Sequence, residues 1–492
     1  MDRRTTLEAF VFPRTARSGD AKLSFTVLWH PDVGRIGRAV VVRLGGKPVA
    51  LSRQAPDFDD GAPLDDTSVS RTPLFVAPLA EGGIRLSPGR EGLAYDVDGE
   101  RGVGGESIGA ARLARGVLLG LGGGPLLWMR SGIASGISNR HGMVGASAAL
   151  QAVRRAVDAA ATGDAPVLVL GESGTGKELV AAALHRIGRR ASGPYVPINL
   201  AALPASTVPS QLFGHARGGF TGADRASGGF FGEAEGGTLF LDEVGACAPD
   251  VQAQLLRALE SGDVQPVGAP VRRVDVRIVA ATDEDLDAAV RAGTFRSALL
   301  HRLSGIVIRV PPLRDRPEDV ALLAVRFLGE ALAACDRSDR LQPSPLPWLS
   351  RATMLALLRG PWPGNVRELR ATCARLAQTW ADEDECGPPF DTPEDPVFLA
   401  DPPPRDVAGV LAAHEFRVQA AADELGWSVN TLRKRMEALG LPRPRDLDAE
   451  QIVAALSATG SIAEAARALR VSAQGLRLRM AELGLIDRSS IA

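Results

Sequence analysis

The chain of 492 residues has four cysteines, almost no net charge and no long unbroken apolar run. Cys247, Cys335, Cys373 and Cys386 show no C-x-x-C spacing, which speaks against a zinc site or a dithiol motif and suits a reducing compartment. A formal charge of -2 removes any whole-molecule bias toward nucleic acid or membrane, so such binding has to be local. The opening stretch "MDRRTTLEAFVFPRTARSGD" lacks the apolar centre of a signal peptide. "GVLLGLGGGPLLW" (116–128) is too short and too rich in glycine to span a bilayer, and reads as strand, turn and strand. The expectation is a cytoplasmic protein with no membrane contact. What the chain does have is length, enough for roughly three or four domains.

Residues 1–132 hold short β-branched or alternating runs ("LSFTVLWH", "AVVVRLGG", "PLFVAPLA", "IRLSP") parted by Gly, Pro and Asp, without a helical period. That pattern predicts an all-β sandwich, followed by a linker over 133–142. From Met143 to residue 380 the apolar strands "APVLVLGE", "GGTLFLDE" and "VDVRIVAAT" alternate with helix-sized intervals, which predicts an α/β domain with a parallel sheet. Residues 381–405 are acidic and rich in proline and read as an extended linker.

The last segment, 406–492, contains a repeat. "LGWSVNTLRKRMEALGL" (425–441) aligns without gaps onto "LRVSAQGLRLRMAELGL" (469–485) at a constant shift of 44. Each copy offers an Ala-rich helix, a turn, a Ser suited to cap a second helix (Ser428, Ser472), and Leu and Met at i, i+4 facing inward. The reading is an all-α tandem helix-turn-helix. Its second helices carry Arg433, Lys434 and Arg435, then Arg477 and Arg479, with Asn430 near the first N-terminus; these groups suit phosphate contact and base-edge reading. An amphipathic bundle with a charged outer face is the plainer alternative. Copy two is the weaker reader, since Leu478 replaces Lys434 and Gly475 weakens the helix.

"LVLGESGTGKE" sets Gly171, Glu172, Ser173, Gly174, Thr175, Gly176, Lys177 and Glu178 between an apolar strand and a helical run, the setting a P-loop requires. Backbone N–H groups there close on phosphate, and Lys177 adds a positive charge. "TLFLDE" ends a strand with Asp242, suited to orient Mg2+ bound with ATP, and Glu243, suited to activate water.

"GESGTGKE", "QLFGHARGGFTGA", "GGTLFLDEVG", "FRSALLHRL", "PPLRDR" and "WPGNVRELR" stand in the order and spacing of sigma-54-dependent transcriptional activators, the bacterial enhancer-binding proteins. The resemblance covers about 143–380 and implies an AAA+ ATPase with a helical lid over about 314–380. It implies that Gly218, Gly219, Phe220, Thr221, Gly222 and Ala223 form the loop that contacts sigma-54. It further implies that Asn199 couples Glu243 to the nucleotide, that Arg296 and Arg302 serve a neighbouring subunit's ATP in a homo-oligomeric, hexameric ring, and that Arg367 senses nucleotide. Two departures stand out. Gly219 replaces the family's Ala, which predicts a looser loop at an ordering cost of about 0.5 to 1 kcal/mol. Asp283, after Thr282, replaces Asn or His and adds a carboxylate near the γ-phosphate, which predicts slower hydrolysis.

The repeat resembles the Fis-type helix-turn-helix. The β region is similar to a forkhead-associated (FHA) domain: "LSR" (51–53), "DDTSVSRTPL" (65–74) and "YDVDG" (95–99) fall in order. That likeness implies Arg53, Ser70 and Arg71 as contacts for a phosphothreonine protein. Taken together, the expectation is a multidomain activator that binds enhancer DNA and remodels sigma-54 RNA polymerase holoenzyme with ATP. The rival is a nucleotide-gated DNA-binding regulator that barely hydrolyses. A P-loop kinase or metabolic ATPase would leave the "FTGA" loop and the tandem helices without a purpose.

Overall fold

The computed structural model describes residues 22–45, 48–79, 82–90, 93–102, 104–132, 139–204, 206–219, 224–344, 347–387, 407–425, 432–433, 436 and 441–486. Six strands of the amino-terminal region form one sheet in the order β2-β1-β10-β9-β6-β7. They are β1 (Lys22–Trp29), β2 (Ala39–Arg43), β6 (Tyr95–Val97), β7 (Glu100–Arg101), β9 (Val117–Leu121) and β10 (Leu126–Ser131). A second sheet takes β3 (Val49–Leu51), β4 (Leu74–Pro78), β5 (Ile84–Pro88) and β8 (Glu106–Ile108), in the order β3-β4-β5-β8. Period-2 burial marks the second sheet, where Leu74 and Val76, and then Ile84 and Leu86, are buried while their neighbours along the strand are not; in the first sheet β1 and β9 are buried almost throughout. The glycine run at 116–128 does form the strand pair β9 and β10. The region differs from an all-β reading by one helix, α1 (Ala110–Arg115), too short to show a period. The Asp98-Gly99 turn joins β6 to β7 with both residues at positive φ, as a tight hairpin needs. Asp98 accepts from Leu118 N at 2.8 Å and pairs with Arg112 at 2.5 Å.

The central domain is built on a parallel sheet in the order β12-β13-β16-β11-β17. Its strands are β11 (Val167–Leu170), β12 (Tyr195–Asn199), β13 (Thr238–Asp242), β16 (Arg277–Thr282) and β17 (Ile306–Arg309); a two-residue hairpin, β14 (Asp263–Val264) with β15 (Arg272–Arg273), stands apart. Alternate residues feed two separate cores. Val167, Val169, Phe240, Val279 and Ala281 join one, and Leu168, Leu239, Leu241, Ile278 and Ala280 join the other, so the sheet is covered on both faces. The covering and connecting helices are α2 (Ala148–Ala161), α3 (Lys177–Arg186), α4 (Val208–Phe213), α5 (Gly229–Glu233), α6 (Pro249–Ser261), α7 (Leu286–Arg291) and α8 (Ser297–Leu303). A helical lid follows in α9 (Pro317–Ala334), α10 (Arg351–Arg359) and α11 (Asn365–Trp380), with α9 and α11 packed on each other. Asp319 of α9 is wholly buried and accepts hydrogen bonds from Ala146 N (2.7 Å), Ser147 N (2.9 Å) and Ser147 Oγ (2.7 Å) at the head of α2.

The carboxyl-terminal repeat gives two small cores. α12 (Val407–Ala413) and α13 (Val418–Leu425) bury Leu411, Phe416 and Ala421 with Leu432, Met436 and Leu441. α14 (Ala449–Thr459), α15 (Ile462–Ala468) and α16 (Ala473–Glu482) bury Ile452, Ala465, Ala466, Leu476 and Met480. Leu432 with Met436, and Leu476 with Met480, face inward in both copies. Ser472 caps α16 by accepting from Gly475 N at 3.2 Å; Ser428 lies outside the described residues. Of the stretch read as a linker over 381–405, residues 381–387 instead continue the lid, with Cys386 buried and its N donating to Trp348 O at 2.8 Å, and 388–405 lie outside the described residues. Among the described residues no helix is long and apolar enough to cross a membrane.

Candidate active site

The strand order brings the expected nucleotide residues to one edge. Asn199, Asp242, Thr282 and the P-loop each follow or end one of four adjacent strands at its carboxyl end, where parallel sheets open a crevice. The P-loop turns tightly: Thr175 N and Oγ1 both donate to Glu172 O, at 3.3 and 2.7 Å. Gly174 and Gly176 sit at φ 76° and 103°. At Gly174 a Cβ would also stand 2.3 Å from the Gly364 carbonyl oxygen, so this glycine is required twice over. Lys177 opens α3, is buried, and places Nζ 2.9 Å from Gly171 O and 3.5 Å from Glu243 Oε1. Glu178 is exposed in the first turn of α3 and complements the helix dipole.

Glu243 is half-buried and held in the left-handed region at φ 54°, a strained conformation. Its carboxylate accepts from Asp283 N at 3.4 Å. Burial raises the Asp242 and Glu243 carboxyls above the usual range; Lys177 opposes this and the Asp283 carboxylate adds to it. Asn199 caps the turn after β12, its Oδ1 accepting from Ala201 N and Ala202 N, and its Nδ2 reaches Asp242 Oδ2 at 3.4 Å. The amide thus meets Asp242 and not Glu243. Thr282 is buried, with Oγ1 accepting from Glu284 N. Arg367 donates to Ser173 Oγ at 3.1 Å. Arg296 caps the start of α8 and Arg302 lies in its last turn, both exposed; Arg302 donates to Leu259 O at 3.2 Å.

For a divalent cation the donor set is sparse. Among the described residues no group of three or more His, Cys, Asp or Glu could hold a metal. A single strand-end carboxylate, Asp242, fits an ion such as Mg2+ that takes its other ligands from phosphate and water.

The segment around Gly218 and Gly219 springs from a stapled base. His215 and Ser227 exchange two hydrogen bonds of 2.9 Å, and Ala216 N donates to Val267 O at 2.9 Å, beside the β14–β15 hairpin. Gly218 is exposed at φ 76°, while a Cβ on Gly219 would stand 2.8 Å from Val267 O. Gly219 is therefore a close-approach residue, a packing demand that a loop sequence alone does not reveal. Phe220, Thr221, Gly222 and Ala223 lie outside the described residues.

In the first helix-turn-helix Arg433 is exposed; Asn430, Lys434 and Arg435 lie outside the described residues. In the second, Arg477 and Leu478 are exposed. Arg479 is engaged internally, donating to Leu447 O (3.1 Å) and pairing with Glu482 (3.0 Å). Gly475 has its own reason: a Cβ there would meet Pro444 Cγ at 2.6 Å.

In the β region, Arg53, Ser70 and Arg71 line one cavity of about 440 Å³ together with Thr72, Arg90 and Gly122. Among the described residues no acidic side chain lines it. Arg53 donates to Val69 O at 3.0 Å and to Thr67 O, so much of its fork holds the loop. Arg90 is the cation that sequence reading missed, since it comes from a separate turn after β5.

Comparison with known proteins agrees with this architecture. Residues 143–309 match the Sigma-54 interaction domain, 314–386 the AAA+ ATPase lid domain, and 409–439 and 443–483 the Fis family of bacterial regulatory proteins. The chain is 40% identical over 340 residues to the DNA-binding transcriptional regulator NtrC of Salmonella typhimurium, covering 61% of this chain and 70% of that protein. It is 39% identical over 349 residues to NtrC of Escherichia coli K12, covering 70% of each. Against NtrC of Azospirillum brasilense it is 46% identical over 243 residues and spans about half that relative's length (49%). Among solved structures, NtrX from Brucella abortus in complex with ATP is similar at a TM-score of 0.46 and 29% identity, over 61% of this chain and 69% of that one. The chain belongs to the NtrC-like family of transcriptional regulators, and its central domain is a sigma-54 interaction domain of the AAA+ P-loop ATPase kind.

Proposed function

We propose that this chain is an ATP-dependent transcriptional activator of the cytoplasm. It binds enhancer DNA through its carboxyl-terminal repeat and uses ATP hydrolysis in a homo-oligomeric, hexameric ring to remodel sigma-54 RNA polymerase holoenzyme for promoter opening. The observation that carries this reading is the convergence of the P-loop, Asp242, Glu243 and Thr282 at one sheet edge, in a domain that also holds the stapled base of the 214–227 loop.

In this reading Lys177 and the loop N–H groups hold the phosphates. Asp242 would hold Mg2+, which would spread the phosphate charge when bound, and Glu243 orients and deprotonates the attacking water. Arg296 and Arg302, exposed on α8, are offered to the next subunit's nucleotide, and Arg367, beside Ser173, registers it. Residues 218–223 carry the resulting movement to sigma-54. Arg433 and Arg477, with Asn430, Lys434 and Arg435, face DNA. Arg479 contributes by fixing α16 in place.

The β region receives the signal. Arg71 and Arg90, which line one cavity, supply the charge for a phosphothreonine peptide, with Arg53 and Ser70 completing the pocket in an FHA-like manner.

The test is open-complex formation on a sigma-54 promoter bearing this protein's binding site, with the full chain, holoenzyme and ATP. Opening that depends on ATP, and that is lost in Thr221→Ala while hydrolysis persists, is the expected result. Binding of DNA and nucleotide without opening would leave a nucleotide-gated DNA-binding regulator instead. Arg90→Ala should abolish binding of a phosphothreonine peptide to the full chain without altering ATP hydrolysis by the unstimulated protein.

A further inference from the structure

Every P-loop residue from 172 to 175 is held by a group from the lid side. Arg314 pairs in a two-pronged fork with Glu172, NH1 to Oε2 at 2.8 Å and NH2 to Oε1 at 2.5 Å. Asn365 is wholly buried at φ 52°; its Nδ2 donates to Glu172 Oε2 (3.1 Å) and Ser173 O (3.0 Å), and its Oδ1 accepts from Leu313 N (2.8 Å). Val366 N donates to Gly174 O at 3.0 Å. Arg316, nearly fully buried, donates to Thr175 O at 3.1 Å.

A carboxylate in a loop that must receive phosphate is electrostatically adverse unless its charge is answered. Here both Glu172 oxygens are turned to Arg314 and one also to Asn365, an arrangement that satisfies the charge without drawing the carboxylate onto the loop's N–H groups. Hydrogen bonding by Arg314 holds the Glu172 carboxyl below its usual range, so the pair stays charged at neutral pH. The left-handed backbone at Asn365 is a strained conformation kept where the side chain must reach three partners at once.

We propose that Arg314, Arg316 and Asn365 are positioning residues for ATP binding, forming a clasp that shapes the phosphate cradle from the lid, and that Glu172 is the anchor of this clasp and not a nucleotide ligand. The proposal rests on the ATPase reading of the site. It makes lid position and cradle shape one variable.

The experiment uses the full chain, a fluorescent ATP analogue titrated to saturation, and steady-state hydrolysis, for Arg314→Ala, Arg314→Lys, Glu172→Gln and the double variant Glu172→Gln/Arg314→Ala. The two single losses should each raise Kd and KM about tenfold with kcat changed less than about twofold. The double variant should be no worse than the poorer single, because both break one pair. Arg314→Lys should recover part of the loss. Wild-type affinity in Arg314→Ala, additive penalties in the double, or a fall in kcat at unchanged KM would each overturn the clasp. Should Arg314→Ala fail to fold, the isosteric, half-exposed Glu172→Gln decides on the same readouts. A wild-type chain that binds no nucleotide overturns the ATPase reading and the clasp together; wild-type binding with unaffected variants overturns the clasp alone.

Discussion

The side chain that most distinguishes this nucleotide site is Asp283. Its backbone supports Glu243, and its carboxylate raises the proton affinity of both Asp242 and Glu243. A base with a raised pKa is ionised in a smaller fraction of molecules at a given pH, so hydrolysis falls off earlier as pH is lowered. Asp283→Asn removes that repulsion and lowers the Glu243 pKa. The acid limb of kcat against pH should move to lower pH, and kcat near neutrality should rise; an unmoved limb with an equal rate would dispose of the idea. Cysteine chemistry is likewise settled one residue at a time. Burial pushes the thiols of Cys247, Cys373 and Cys386 up to about 12, while Cys335 is exposed. A maleimide should label the native protein once, at Cys335, and Cys335→Ser should abolish that labelling. Asp283 was legible in the sequence because it departs from a known pattern. The Asn199 contact with Asp242 was not, since a 3.4 Å choice between adjacent carboxylates is made by the end of β12 and by the cap it forms.

Among the elements, the loop and the repeat teach different lessons. Gly219 reads in sequence as a source of freedom, yet its place against Val267 O leaves no room for a methyl group. Gly219→Ala should push the 214–219 turn off the hairpin and destabilise the domain by about 1 kcal/mol or more, measured as a lower thermal midpoint. Gly475 repeats the lesson: its helix-weakening character is real, but Pro444 occupies the volume a side chain would need. In the repeat, Leu and Met spacing was enough to expose the inward faces because helical periodicity is a local property. The engagement of Arg479 with Leu447 and Glu482 is not local in that sense, and basic composition could not foretell it. Arg433→Ala should therefore weaken DNA binding more than Arg479→Ala in salt-dependent titrations. Arg477→Ala should fall nearer the former, since Arg477 is exposed.

For the whole molecule, the proposed ring, in which exposed Arg296 and Arg302 serve a neighbour's nucleotide, makes a lone subunit an incomplete enzyme. Specific ATPase activity should rise with protein concentration. Mixing an Arg296→Ala chain with a Glu243→Gln chain should restore part of the activity that each lacks alone; strict proportionality to concentration would contradict a shared site. The parallel sheet and the two repeats announced themselves through periodicity, and the nucleotide residues through motif order. The lid contacts did not, because Arg314 and Asn365 lie 142 and 193 positions from the carboxylate they meet. The burial of Asp319 carries a mechanical meaning. The stretch that leads into α2 is gripped twice: Arg154 of α2 donates to Met143 O and Gly145 O, and Asp319 of α9 accepts from Ala146 and Ser147. A tug arriving along the backbone from the amino-terminal side is thus shared between α2 and the arm that α9 forms. That arm's neighbouring arginine, Arg316, is 3.7 Å from Asp319 and already holds Thr175.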